Sequence, residues 1–210
     1  MCWNAPVSFV TFFGGSLLNL LCYFLLGRTN LSRILIYWQY TLLMQLIEGI
    51  IWLRYDTGSN IQMHSLIAMV LNVTQPFVLL LVVKYGIGTT VSYAIVANIM
   101  YAALLLSEPI WDFRDIAPPP GCVHLELRYW NISTTTSYML ASVAGFLEIP
   151  DRVWAAANIV IFVGSLLLAM LISSCGRGSL FCWLIFASGG ILVLVDYLRR
   201  IKIVWKRGPD

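Results

Sequence analysis

Charged residues are scarce in this 210-residue chain. They make up only 11% of it, whereas soluble globular domains carry roughly a quarter. Thirteen basic and ten acidic side chains are too few to solvate a folded surface of this size. Apolar residues reach 60% and the mean hydropathy is +0.82, which excludes a water-soluble globule and makes the lipid bilayer the expected partner. The formal charge of +3 is too small, and too concentrated at one end, for nucleic-acid binding.

Several catalytic signatures are also missing. His64 and His124, the two histidines, have no cysteine or carboxylate at metal-ligand spacing, which argues against a metal-dependent membrane hydrolase. The sequence has no Gly-x-Ser-x-Gly turn and no pair of intramembrane aspartates, as common intramembrane hydrolases need. The last predicted helix has no lysine that could form a retinal Schiff base. We therefore expect no enzyme activity, no metal and no cofactor.

Long apolar runs predict an all-α, polytopic transmembrane bundle in a single domain, because about 20 apolar residues cross the hydrocarbon as a helix. Six predicted spans are clear. A further run at 132–149 contains Thr134 to Ser137, whose hydroxyls can bond the helix's own carbonyls. Seven spans are favoured, and the alternative is six with 132–149 as a re-entrant or interfacial helix. The predicted spans are 5–27, 33–53, 61–83, 87–107, 132–149, 152–173 and 179–198, with an outer loop at 108–131 and a basic tail at 199–210.

Basic residues set the predicted orientation, because basic loops resist translocation. With seven spans, nine of the thirteen Lys and Arg residues fall on the side of the C-terminus and four on the side of the N-terminus. The N-terminus should therefore lie outside and the C-terminus in the cytoplasm. Residues 1–4 contain no basic residue, whereas a cleaved signal peptide begins with one, so we expect the first helix to be retained.

Four of the five cysteines lie on or near the predicted outer side, where an oxidising environment permits disulfides. Only Cys22 lies deep on the other side. Up to two bridges are expected, and the alternative is that these thiols act as small apolar side chains. Spacing alone assigns no pairs. The disulfide candidates are Cys2, Cys122, Cys175 and Cys182.

The tail continues the last predicted helix with five basic residues, in 199–207, beside Ile and Trp. An anionic leaflet attracts each such residue by about 1 kcal/mol, so anionic lipids are expected partners. Enforcement of the orientation explains the same charges equally well. The loop 108–131 carries three consecutive prolines and several aromatic residues, which favour a position against the membrane. A lid or a partner-binding surface is one interpretation of this loop, and a plain connection between two spans is the favoured one. Homo-oligomerisation stays open.

Polar residues inside the predicted second span give the strongest functional indication. Trp38, Thr41, Gln45, Glu48 and Trp52 recur at spacings of three and four, so they lie along one helix face. An ionised carboxylate facing lipid costs several kcal/mol, so Glu48 should turn inward and meet donors from neighbouring helices. The candidate donors are Asn72, Gln75 and Asn98, and Asn19 in the first predicted span and Asn158 in the sixth supply further amides.

This pattern predicts a central polar cluster that binds a small polar solute or ion, in a carrier or channel in which Glu48 couples binding to a proton. The alternative is a non-catalytic structural or interaction component of a viral or host membrane. In that case the amides only join helices, at about 0.6 kcal/mol per hydrogen bond, and Glu48 stays neutral. The predicted ligand-binding residues are Gln45, Glu48, Trp52, Asn72, Gln75 and Asn98.

Four short motifs, confined to roughly the first eighty residues, carry a resemblance to a known family. They are Met1-Cys2-Trp3, Trp38-Gln39, Gln45 to Glu48-Gly49 with Trp52, and Gln75-Pro76. The chain resembles an uncharacterised family of small polytopic membrane proteins of large DNA viruses of algae and of protists. The resemblance implies an integral membrane protein of a virion's internal membrane or of host membranes, and it assigns no catalytic residue.

Overall fold

The computed structural model describes residues 4–27, 29, 31–58, 62–107, 132–172 and 185–207. Within these ranges the protein is all-α and contains seven α-helices. They are α1 (Ala5–Leu26), α2 (Ile34–Asp56), α3 (Gln62–Leu81), α4 (Ser92–Ser107), α5 (Ile132–Leu147), α6 (Arg152–Ile172) and α7 (Ser188–Arg207). Short 3₁₀ turns, Leu31–Arg33 and Ile185–Ala187, precede α2 and α7.

Four of the described helices are long and apolar enough to cross a membrane: Ala5–Leu26, Ile34–Asp56, Met63–Ile87 and Arg152–Ala169. This agrees with a protein that resides in a membrane. Helices α4 and α5 have 16 residues each and are shorter than a typical span. The first part of the predicted span 179–198 lies outside the described residues, as does the predicted loop 108–131.

Local sequence explains where α1 begins and where α1 and α3 end. Asn4 caps α1, since its side chain accepts the Val7 N–H at 2.9 Å, and α1 stops at Gly27, whose φ of 71° favours glycine. Helix α3 contains Pro76 and continues as a π-helix, Val82–Ile87, that ends at the left-handed Gly88. The predicted start of the fourth helix at residue 87 is therefore wrong: 82–87 extends α3, and α4 begins at Ser92.

Aromatic side chains form the centre of the core, where α2, α5 and α6 meet. Trp38 stacks on Phe146 with ring centroids 5.8 Å apart, and Phe146 also contacts Tyr37 and Phe162 edge-to-face. All four side chains are buried. Edge-to-face and stacked pairs of this kind add stability beyond the area that they bury. The outer faces of the same helices carry exposed apolar residues, as a surface solvated by lipid requires.

Glycines let neighbouring helices approach closely. A Cβ at Gly15 would lie 2.8 Å from Leu42 of α2, and one at Gly49 would lie 2.9 Å from the Phe9 ring of α1. Small residues at helix contacts are typical of membrane bundles, because dispersion contacts drive the packing there. The α1–α2 contact is one of the two major contacts of α2, the other being that with α3.

Polar links join the helices at one end of the bundle. Helices α2, α4 and α6 begin at this end, and we name it the basic end because Arg33, Lys84 and Arg152 lie near those starts. Helices α3, α5 and α7 finish at the same end. Consecutive helices from α2 to α7 therefore alternate in direction within the described ranges. The links are Arg33 Nη1 to Gly86 O at 2.6 Å, the Tyr93 N–H to Glu148 Oε1 at 2.9 Å, and the Asp151–Arg199 ion pair.

Candidate functional site

Helix α2 directs its polar stripe into the bundle. Trp38, Thr41, Gln45, Glu48 and Trp52 are all buried, and Glu48 has only 1% of its surface exposed. The opposite face of α2 carries exposed apolar side chains such as those of Ile36 and Leu53. The helix is thus polar inside and apolar outside, which is the pattern that a lipid solvent favours.

One amide that contacts Glu48 comes from its own helix. Gln45 Nε2 donates a hydrogen bond to Glu48 Oε2 at 3.1 Å, since the two residues lie one turn apart on the same face. This donor differs from those predicted from the sequence, which lie on neighbouring helices. A buried carboxyl group needs such a partner, because an unpaired charge in this environment is costly.

A second buried polar group lies on α3, which packs against α2. Gln75 Nε2 donates to Asn72 Oδ1 at 3.2 Å, and the Tyr138 hydroxyl of α5 donates to Gln75 Oε1. Pro76 has no N–H, so it cannot donate the usual helical hydrogen bond to the Asn72 carbonyl. Two of the predicted donors are therefore paired with each other and tied to α5.

Asn98 lies on α4 and its amide folds back on its own helix. Its Nδ2 donates to Ala94 O at 2.8 Å, and within the described ranges its Oδ1 has no hydrogen-bond partner. Helix α4 packs mainly against α5 and has few contacts with α3. Asn98 is thus buried in the bundle, on a different helix interface from Gln45 and Glu48.

Trp52 completes the predicted set near the far end of α2. Its side chain is buried, and its ring lies edge-to-face with Tyr55, with 6.0 Å between the centroids. Trp52 is therefore in position to close the stripe on the side away from the basic end.

One contributor to the buried polar network, Tyr138, is not predicted from the sequence, and for Asn158 the sequence predicts an intramembrane amide but not its partner. Tyr138 is joined to Gln75 across 63 positions, and Asn158 accepts a hydrogen bond from Trp38 across 120 positions. One feature of the sequence could have indicated Tyr138. Polar side chains recur every four residues along α5, at Thr134, Tyr138 and Ser142, and they form a buried face of that helix. Nothing local pairs Asn158 with Trp38.

The part of the chain that the structure describes contains no group of three or more His, Cys, Asp or Glu side chains that could hold a metal ion. Cys22 is buried and its thiol is free. The four disulfide candidates, Cys2, Cys122, Cys175 and Cys182, lie outside the described residues. The proposed disulfides thus stay predictions.

No protein-family model matches this chain, and comparisons with curated proteins and with solved structures find no match either. The family suggested by the four short motifs therefore stays a prediction. The function has to be argued from the buried polar residues themselves.

Proposed function

We propose that the protein is a seven-span membrane carrier or channel, with the N-terminus outside and the C-terminus in the cytoplasm, that moves a small polar solute or ion past Glu48. The observation that supports this most is the burial of that carboxyl group at 1% exposure in the middle of an apolar helix. Ionisable residues inside a membrane are costly, and the default hypothesis is that they serve a function.

The surroundings of Glu48 suit a site that gains and loses a proton. The Gln45 amide can donate to the ionised carboxylate, and it can also accept from the protonated acid after rotation. Asn72 and Gln75 on the adjacent α3 add hydrogen-bonding groups that suit a polar solute. Because these four residues are buried, the proposal requires the helices to part on each side in turn.

The alternating directions of the helices at the basic end support the proposed number of crossings. In a seven-span arrangement α1 and α7 must run in the same direction. Their contacts agree. Phe186, in the turn before α7, lies against Gly14, and Gly189, in the first turn of α7, lies against Asn19, which is further along α1. Helices α4 and α5 are about 24 Å long, so residues flanking each of them must complete the crossing.

The orientation is tested by mapping the two termini. An N-glycosylation acceptor site added on a spacer before residue 1 should be modified in microsomes, and the same site after residue 210 should not. The reverse pattern would contradict the orientation. Modification at both ends would contradict the odd number of crossings, since an odd count separates the termini.

Transport is tested with Glu48→Gln in reconstituted vesicles. The variant keeps the shape and the hydrogen bonds of the side chain but cannot ionise, so proton flux down an imposed pH gradient should fall to the background of empty vesicles. Thermal stability should change little. Glu148→Gln makes the same chemical change at the basic end and should retain flux. Equal loss in both variants, or flux that survives Glu48→Gln, would contradict the proposal.

A second candidate function is a structural or interaction component of a membrane. It is supported by polar side chains that join helices directly: Gln39 Nε2 donates to Ser16 Oγ at 2.7 Å, and the Tyr40 hydroxyl lies 2.6 Å from Thr74 Oγ1. Such links strengthen a bundle without any transport. Folded wild-type protein that passes neither protons, Na⁺ nor K⁺ in the vesicle assay would favour this candidate.

A further inference from the structure

Asn19 is a buried amide with unmet hydrogen-bonding capacity. It lies on α1 with 4% of its surface exposed, and neither its Nδ2 nor its Oδ1 has a hydrogen-bond partner within the described ranges. Buried side-chain amides are nearly always hydrogen-bonded, because leaving them unpaired forfeits the bonds that they make with water. An amide with both ends unmet therefore has the capacity to bind a ligand.

A second unmet group lies on the helix that contacts this amide. Ser188, the first residue of α7, is 1% exposed, and its Oγ also has no partner in the described part of the chain. A Cβ added to the following residue, Gly189, would lie only 2.5 Å from Asn19 Oδ1. The Asn19 amide is therefore directed at the first turn of α7, and glycine at position 189 is what allows this approach.

The first turn of α7 lies partway along the bundle rather than at its end. It faces Asn19, about two-thirds of the way along α1, and the preceding Phe186 packs against Gly14 and Gly15. The amino-terminal end of a helix carries a partial positive charge, because its N–H groups point outward along the axis. Helix ends placed in this way within membrane proteins attract anionic groups.

We propose that Asn19, Ser188 and the first turn of α7 form a binding site for a small inorganic anion of the size of chloride. The Ser188 hydroxyl donates one hydrogen bond to the anion. The Asn19 amide can turn its Nδ2 toward it at no cost in hydrogen bonds, because neither end is engaged. Neutral donors at the positive end of a helix are sufficient to hold such an ion. The site lies between α1 and α7 and does not include Glu48.

The test is the thermal stability of the purified full chain in detergent, measured in sodium chloride, choline chloride and sodium gluconate at equal ionic strength. Chloride should raise the unfolding midpoint with either cation, and gluconate should not, because a ligand that binds only the folded state stabilises it. A rise with sodium gluconate but not with choline chloride would overturn the proposal in favour of a cation. No difference among the three salts would overturn it as well.

Matched variants locate the effect. Asn19→Leu removes the amide at similar volume and should weaken the apparent chloride affinity at least 10-fold. Gly189→Ala should do the same, because its methyl group displaces the amide. Ser188→Ala, the mildest change, should weaken chloride binding several-fold and covers the case in which the others do not fold. Glu48→Gln should keep the full chloride response whatever its effect on transport. A response that is unchanged in Asn19→Leu or, if that variant does not fold, in Ser188→Ala would overturn the site.

Discussion

The indole Nε1 of Trp38 donates a 2.8 Å hydrogen bond to Oδ1 of Asn158, which joins α2 to α6 inside the bundle. The Asn158 amide nitrogen bonds in turn to Trp154 O at 2.8 Å, so the side chain is held on both sides. Both residues are buried, beside the stack of Trp38 on Phe146. The pair fixes how α2 is rotated and therefore which of its residues face the core.

Breaking this pair should destabilise the bundle. Asn158→Leu leaves the buried indole N–H without an acceptor, at an expected cost of about 1–3 kcal/mol in the free energy of unfolding. Trp38→Phe removes the donor and leaves Asn158 unmet. The double variant should be more stable than the sum of the two single losses predicts, by about 0.6–1.7 kcal/mol. Unfolding in mixed micelles measures all three, and strict additivity would show that the bond contributes nothing.

Two glycines, Gly145 of α5 and Gly164 of α6, form a matched pair for testing how closely α5 packs against α3. A Cβ at Gly145 would lie 2.8 Å from the buried Leu79 side chain of α3, whereas one at Gly164 of α6 would meet nothing within 4 Å. Gly145→Ala should cost about 1–3 kcal/mol from overpacking, which outweighs a helix-propensity gain of about 0.5–1 kcal/mol. Gly164→Ala should show that gain alone. Equal effects at the two positions in unfolding experiments would contradict the close α3–α5 contact.

Glu148 caps a helix that is not its own. It follows the end of α5, and its Oε1 accepts the N–H groups of Tyr93 at 2.9 Å and Ala94 at 3.4 Å in the first turn of α4. Glu148→Ala should cost about 1 kcal/mol and speed hydrogen exchange of those two amides. Glu148→Gln keeps the acceptor but loses the charge at the helix end, so its effect should be smaller. Unchanged exchange in Glu148→Ala would show that the cap has no role in solution.

The Asp151–Arg199 pair should make stability depend on pH in the acid range. Burial raises the pKa of Asp151, but its hydrogen bonds from Arg199, Trp154 N–H and Val153 N–H outweigh this and bring the pKa below its ordinary value. A carboxyl group whose pKa is lowered by folding stabilises the folded protein at pH values above its ordinary pKa. That contribution is lost as the pH falls through the lower pKa of the folded state.

Variants of Asp151 separate the two contributions. Asp151→Asn can still cap α6, so it should lose only the ion pair. The loss in the free energy of unfolding should be about 0–1 kcal/mol near neutral pH, because Arg199 is partly exposed. Asp151→Ala should lose about 1 kcal/mol more. Unfolding midpoints between about pH 5 and pH 2 should fall less steeply in Asp151→Asn than in the wild type. Parallel curves would contradict the role of this carboxylate.

Much of the helical architecture could be predicted because it depends on local sequence. The predicted spans 5–27, 33–53 and 152–173 end within three residues of α1, α2 and α6. The burial of the α2 stripe also follows from its periodicity. The predicted start of the fourth helix at residue 87 is wrong because a π-helix and an apolar α-helix have similar compositions. In the structure the π-helix ends at Gly88.

The partners of the polar residues could not be predicted from the sequence in the same way. Periodicity gives the face on which Glu48 or Gln75 lies, but the depth and rotation of neighbouring helices decide what meets them. Gln45 bonds to Glu48 one turn away, while Tyr138 reaches Gln75 from a helix 63 positions later. Such distant pairs depend on close packing over the whole bundle, which a single sequence does not display.

The three polar links at the basic end have a consequence for biogenesis. They close the chain segments 33–86, 93–148 and 151–199, which follow one another without overlap. Each link can therefore form as soon as its later partner leaves the ribosome, in the order of synthesis and without waiting for the next. A nascent chain that stalls between residues 86 and 148 would therefore carry the first link but would leave the start of α4 uncapped.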